Sequence, residues 1–134
     1  MRYSVDTICR YYKTNLFVVI RRLNVPTGLA FPGGGIEEGE NKDVAIAREL
    51  KEETGLTLAS IAWLPKVYNE EGRDLRFPST SFVAYGEAFG TIIPEKGKTE
   101  VLLLSKEEIL AKKELFVFDH FQIFLDYLAL LCAK

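Results

Sequence analysis

The sequence predicts a single layered α/β domain. That expectation rests on short apolar segments rich in β-branched and aromatic residues, on two stretches with helical periodicity, and on 134 residues with no repeat or linker to divide them. A chain of that length can bury a sizeable core without disulfide or metal staples.

Tyr3 to Tyr11 and Asn15 to Arg22 are the first strand-like segments, and the polar Lys13-Thr14-Asn15 reads as the turn of a hairpin. Leu16 to Ile20 is continuously apolar, which suits a strand covered on both faces. Asn24 to Gly28 is a turn by composition. Leu29-Ala30-Phe31 is a short strand cut off by Pro32 and a turn of three glycines, Gly33, Gly34 and Gly35. A helix is expected from near Asn41 to near Thr54. Asn41 suits the N-cap, and Gly55 suits the left-handed position just past the end. Ile46, Ala47 and Leu50 are expected to pack it on the sheet.

Leu56 to Lys66, Thr80 to Ala88 and Thr99 to Leu104 are the later strands, separated by loops over Tyr68 to Ser79 and Gly90 to Gly97. Ser105 and Glu108 have capping-box spacing around the short helix KEEIL. Asp119 to Cys132 closes the chain as an amphipathic helix with Asp119 as its N-cap. Its apolar side carries Ile123, Phe124, Tyr127, Leu128 and Leu131, suited to the core or to a homodimer contact.

The formal net charge of −2 leaves no electrostatic footprint for duplex nucleic acid or an anionic membrane, so a small molecule or a protein is the expected partner. Cys9 and Cys132 lie outside any CxxC motif and are expected as two buried free thiols. The first residues hold no signal-peptide core, and Leu16 to Ile20 is far too short to span a membrane. A cytoplasmic protein is expected.

Gly33 to Leu56 concentrates the chemistry. Glu49, Glu52 and Glu53 stand at i, i+3 and i+4, on one face of the expected helix. Like charges so placed repel, and stability alone does not explain them. A hard divalent cation does, because Mg²⁺ and Mn²⁺ take oxygen ligands from carboxylates, waters and phosphates. Ala45, one turn earlier in the same column, is expected to leave room for an approaching ligand. The glycine turn offers bare backbone groups close to the cations. A diphosphate needs that arrangement most, since carboxylates repel it unless cations lie between. Arg48 can reach back to Glu40 or Glu37 and tie the loop to the helix.

Gly34, Glu40, Arg48, Glu49, Leu50, Glu52, Glu53, Gly55 and Leu56 together reproduce the pattern G-x5-E-x7-R-E-U-x-E-E-x-G-U, with U aliphatic and no departure. In this the chain resembles the Nudix hydrolases. The resemblance implies an α/β/α sandwich around a mixed sheet, cleaving a nucleoside diphosphate linked to another moiety with Mg²⁺ or Mn²⁺. It implies Glu49, Glu52 and Glu53 as metal ligands, joined by the Gly33 carbonyl. Glu49 or a glutamate from a later loop would activate water, Arg48 would orient Glu49, and Gly34, Glu40 and Gly55 would be structural. Glu100 is the first candidate for a further acidic residue from a later loop and Glu95 the second. PTGLAFPGG, GRDLR and FVFDH are similar to segments of a subgroup that includes ADP-ribose pyrophosphatases, although Leu75 stands where that subgroup usually has proline.

Other residues carry two readings each. Arg73, Asp74 and Arg76 are either solvated loop charge or contacts to a phosphate or terminal ribose, and Glu37 is counted with the arginines as a substrate contact. Trp63, Tyr68 and Phe77 either stack on a base or pack in the core. His120, the only histidine, is read as a packed, hydrogen-bonded helix-start residue rather than a base. At the level of function the first reading is a pyrophosphohydrolase of ADP-ribose or a related nucleotide sugar. A MutT-type (d)NTP or oxidised-nucleotide hydrolase and a non-catalytic nucleotide-binding module are the alternatives.

Overall fold

The computed structural model describes residues 2–133. The chain order is β1 (Arg2–Tyr11), β2 (Phe17–Arg22), β3 (Gly28–Ala30), β4 (Gly33–Gly35), α1 (Lys42–Thr54), β5 (Thr57–Trp63), β6 (Ser79–Phe89), β7 (Thr99–Leu104), α2 (Lys106–Leu110), a 3₁₀ turn (Lys113–Leu115) and α3 (His120–Cys132). The seven strands form one mixed sheet, with β3-β2-β1-β6-β5 as its main path, β4 paired to β1 and β7 to β2. The β1–β6 pair is parallel and the other pairs are antiparallel.

Strand periodicity sorts the core into two layers. Phe17 and Val19 of β2 join Ile8 and Val83 against Ile109 of α2 and Ile123, Phe124 and Tyr127 of α3. Val18, between them in sequence, points to the other face and meets Cys9, Leu50 and Leu56. Val5, Ala45, Ile46 and Ala84 extend that second layer under α1. The architecture is therefore the expected α/β/α sandwich.

Several local expectations are corrected. Gly33–Gly35 is a strand paired to β1, not a free turn. Ala45 is fully buried against the sheet, so it leaves no room for a ligand, and Ala47 faces solvent. The column holding Ala45 and Glu49 crosses from core to cavity within one turn. Cys132 is exposed while Cys9 is buried. Leu131 is exposed as well. Asn41 caps α1 by accepting from the Val44 amide, and Gly55 takes φ 79°. Asp119 occupies the N-cap position of α3 without a capping bond, since Arg73 engages both its oxygens at 2.8 Å.

The antiparallel β5–β6 pair shifts register between Leu58 and Ser60. There Gly86 lies so close to the opposite strand that a Cβ would stand 1.9 Å from the Ser60 carbonyl oxygen. Gly86→Ala must push two backbones apart and is expected to destabilise the fold by about 1–3 kcal/mol. Denaturant unfolding checks this, with an unchanged midpoint as the contrary result.

Candidate active site

The sheet opens where β1 and β2 part. They meet at Arg10–Phe17. Further along, β1 takes β4 as its neighbour and β2 takes β3. The opening is a cavity of about 220 Å³. Arg2, Ser4 and Asp6 are alternate residues of β1, so all three face it. Ile20 and Arg22 of β2, and Ser79 and Ser81 of β6, line it by the same rule. Gly33–Gly35 and the α1 carboxylates Glu49 and Glu53 form one side.

Helix periodicity brings Glu49 and Glu53 to the glycine strand. The Gly33 amide donates to Glu53 Oε1 at 2.7 Å. A Cβ on Gly34 would stand 2.5 Å from the Glu49 carboxyl carbon, so a larger residue there would displace that carboxylate. Burial pushes Glu53 up to about 9, with the Gly33 amide opposing and the Glu49 and Asp6 charges adding to the rise. Glu49 is raised too, by burial first, against the opposing effect of Arg48. Two neighbouring carboxylates that resist ionisation in a cavity make a place where a cation would be stabilising.

Arg48 is the hub of the motif. Its Nε and Nη2 form a two-pronged contact with Glu40 at 2.7 and 2.9 Å. Nη2 also donates to the Gly35 carbonyl at 3.0 Å, and Nη1 to Glu49 Oε1 at 2.8 Å. Both oxygens of Glu52 lie 3.3 Å from Nη1, and Glu37 is an ion-pair partner at 3.6 Å. Glu40 in turn accepts from the Glu37 amide, and its bonds to Arg48 hold its carboxyl down at about 2. Glu37 thus belongs to this network and does not line the cavity.

Glu52 sits outside the cavity lining, turned toward Arg48. Among the described residues no group of three or more acidic, histidine or cysteine side chains is already gathered around one ion position. The donor set nevertheless suits a hard cation: Glu49 and Glu53 project from one helix face against β4, and Glu49 Oε2 has no hydrogen-bond partner among the described residues.

Glu100 is not brought to this group. It pairs with Arg21 at 3.1 Å on the exposed side of β7. Its neighbour Thr99 faces the helix instead and donates to the Glu53 carbonyl at 2.9 Å, so strand alternation turns Glu100 away. Glu95 is the loop glutamate that comes near. Its amide donates to the Glu53 carbonyl at 3.3 Å, and its charge acts on both Glu49 and Glu53.

Arg73 lines the cavity but is fully engaged, with two bonds to Asp119 and one to Ser79. Arg76 also lines it, paired with Asp74 at 2.9 Å. Of the three aromatics, Phe77 alone reaches the cavity. Trp63 donates to Asp43, and Tyr68 is buried with its hydroxyl on Asp126. His120 is buried as expected. Its Nδ1 accepts from the Phe31 amide at 2.9 Å, and its Nε2 faces Asp6 at 3.5 Å.

Arg2, Asp6, Arg22 and Phe118 also line the cavity, and none is marked as a site residue in the sequence. Arg2 opens β1, Asp6 lies mid-strand on the same face and Arg22 ends β2, placements that ordinary surface strands share. Phe118 has φ 58°, a region that costs a β-carbon residue about 1–2 kcal/mol. Nothing in its residue type announces that.

Residues 2–126 match the NUDIX domain. The chain belongs to the NUDIX domain family. An ADP-ribose pyrophosphatase from Methanocaldococcus jannaschii is 34% identical to this Nudix chain over 130 residues, 93% of this chain and 72% of that protein. Nudix hydrolase 25 of Arabidopsis thaliana is 48% identical over 54 residues, 40% of this chain. The chain spans 31% of the length of that relative and 25% of a second plant relative, Nudix hydrolase 26. Among solved structures, the NUDIX domain of Shewanella oneidensis NrtR, complexed with ADP ribose, superimposes with a TM-score of 0.83 at 21% identity over 96% of this chain and 87% of that one. That likeness bears on the fold. No helix among the described residues is long and apolar enough to cross a membrane.

Proposed function

We propose that this Nudix chain is a metal-dependent pyrophosphohydrolase of nucleoside diphosphate derivatives, with ADP-ribose or a related nucleotide sugar as substrate. The observation that carries the reading is the meeting of Glu49 and Glu53 with Gly33 and Gly34 in one cavity, braced from behind by Arg48. The archaeal ADP-ribose pyrophosphatase, matched along most of its length, supports the choice of substrate.

Glu49, Glu52, Glu53 and the Gly33 carbonyl would hold Mg²⁺ or Mn²⁺, which when bound neutralises phosphate oxygens and lowers the pKa of water. Glu49 or Glu95 takes the proton from the attacking water. The water oxygen bonds to one phosphorus, the bridging P–O bond breaks, and the leaving phosphate carries the bridging oxygen away. Arg48 opposes the rise in the Glu49 pKa that burial causes and keeps its carboxylate oriented. Arg76 contacts the substrate, Arg73 holds the wall behind it, and Glu37 serves through Arg48. The composition and the small-molecule substrate support a cytoplasmic protein.

Incubation with ADP-ribose and Mg²⁺ is expected to yield AMP and ribose 5-phosphate, read by chromatography. A (d)NTP in the same panel would yield a monophosphate and pyrophosphate. Faster turnover of (d)NTPs than of ADP-ribose would move the chain to the MutT-type reading. Tight nucleotide binding with no metal-dependent product would make it a binding module.

A further inference from the structure

Part of the cavity wall is built from alternating guanidinium groups and rings. The Arg2 Cζ stands 4.7 Å from the Phe77 ring centroid and the Arg76 Cζ 4.9 Å from it. Arg76 also lies 5.1 Å from the Phe118 ring, and Arg22 5.3 Å from it. All five residues line the cavity. The rings are therefore occupied by cations and do not offer an open platform for a nucleobase. They serve instead to hold three like charges side by side.

Those charges are compensated only in part, by Asp74, which acts on all three, and by Glu53, which acts on Arg22. Asp74 pairs with Arg76. Arg22 is anchored through backbone carbonyls, with Nε donating to Pro26 at 2.7 Å and Nη2 to Val25 at 3.4 Å. Neither Arg22 nor Arg2 has a carboxylate partner among the described residues. The chain also accepts an unfavourable backbone at Phe118, whose φ of 58° sets its ring between Arg22 and Arg76. A wall of guanidinium groups in a cavity, with strain retained to assemble it, matches an oxyanion such as a phosphate.

We propose that this wall is a second anion subsite, which takes a phosphomonoester carried by the substrate beyond the diphosphate that is cleaved. The proposal rests on the pyrophosphohydrolase reading for its substrate class. Carboxylates, divalent cations and a diphosphate can balance their charges among themselves, which leaves the arginine wall for a further anion. The phosphomonoester can sit on the ribose at either end of the substrate.

The test compares kcat/KM with Mg²⁺ for ADP-ribose, ADP-ribose 1″-phosphate and ADP-ribose 2′-phosphate. One phosphorylated compound is expected to be preferred by about tenfold or more, as a charge-assisted contact to guanidinium supplies. Which one identifies the end that is read. Arg22→Met is expected to bring the ratio to within about twofold of one. Phe118→Gly removes the ring at a φ that glycine adopts freely, so it keeps the backbone and is expected to lose the preference as well. Equal values in the wild type, or a preference that survives both substitutions, overturn the proposal. Calorimetry with the same compounds in EDTA reads the wall without turnover. Tighter binding of a phosphorylated compound, lost in Phe118→Gly, supports the subsite even if none is hydrolysed, in which case it is the hydrolase reading that fails. Equal affinities overturn the subsite whether or not turnover occurs.

Discussion

Glu53→Gln is expected to lower kcat by about a thousandfold or more, roughly 4 kcal/mol of barrier, while leaving the fold intact. The reason for both halves lies in the burial of Glu53. Its carboxyl is buried beside Glu49 and Asp6, where it holds its proton up to about 9. In the metal-free protein at neutral pH it is thus a neutral group accepting the Gly33 amide, and glutamine reproduces that role. What glutamine cannot supply is the anionic oxygen that a cation needs. A carboxyl raised from 4.5 to about 9 by folding stabilises the fold below pH 4.5 and loses that contribution as pH rises toward 9. In EDTA the wild-type Tm should fall over that window, and Mg²⁺ should restore it most at the alkaline end. Glu53→Gln should flatten the slope and remove the Mg²⁺ effect. Near-full turnover in the variant would sink the assignment of Glu53, and a flat wild-type profile would sink its raised pKa.

How much of this was legible in the sequence depends on what kind of signal each residue leaves. α1 was readable because Asn41, Gly55 and the i, i+3, i+4 carboxylates are local features with local causes. The two-sided core of β2 followed from a continuous apolar run. The split between β1 and β2 was not readable, because it depends on β3 and β4 each finding a separate neighbour far away in sequence. The cavity is that split, so its lining residues Asp6 and Arg22 are not readable from the sequence. Glu100 went astray by one residue of strand alternation: Thr99 faces Glu53, and Glu100 faces away. Arg73 carries two readings in the sequence, solvated loop charge or a phosphate or ribose contact, and the structure instead pairs it with Asp119, the residue expected to cap α3.

Arg48→Lys is the substitution that separates charge from geometry. Lysine keeps the positive charge beside Glu40, Glu49 and Glu52 but offers one compact ammonium in place of a planar fork. The fork makes contacts in different directions at once: two bonds to Glu40, one to the Gly35 carbonyl and one to Glu49 Oε1. Lysine can satisfy part of that set, so Glu49 would lose its fixed orientation or the loop would lose its tie through Glu40. The expected result is a loss of about 10- to 100-fold in kcat/KM, with weaker apparent affinity for Mg²⁺, as for other residues that orient a metal ligand. A fall in Tm should accompany it, because Glu40 gives up the contacts that hold its carboxyl down at about 2. If charge alone mattered, Arg48→Lys would stay near wild type while Arg48→Gln lost activity. Equal damage in both variants, with the Mg²⁺ dependence shifted in both, is the outcome that assigns the role to the fork.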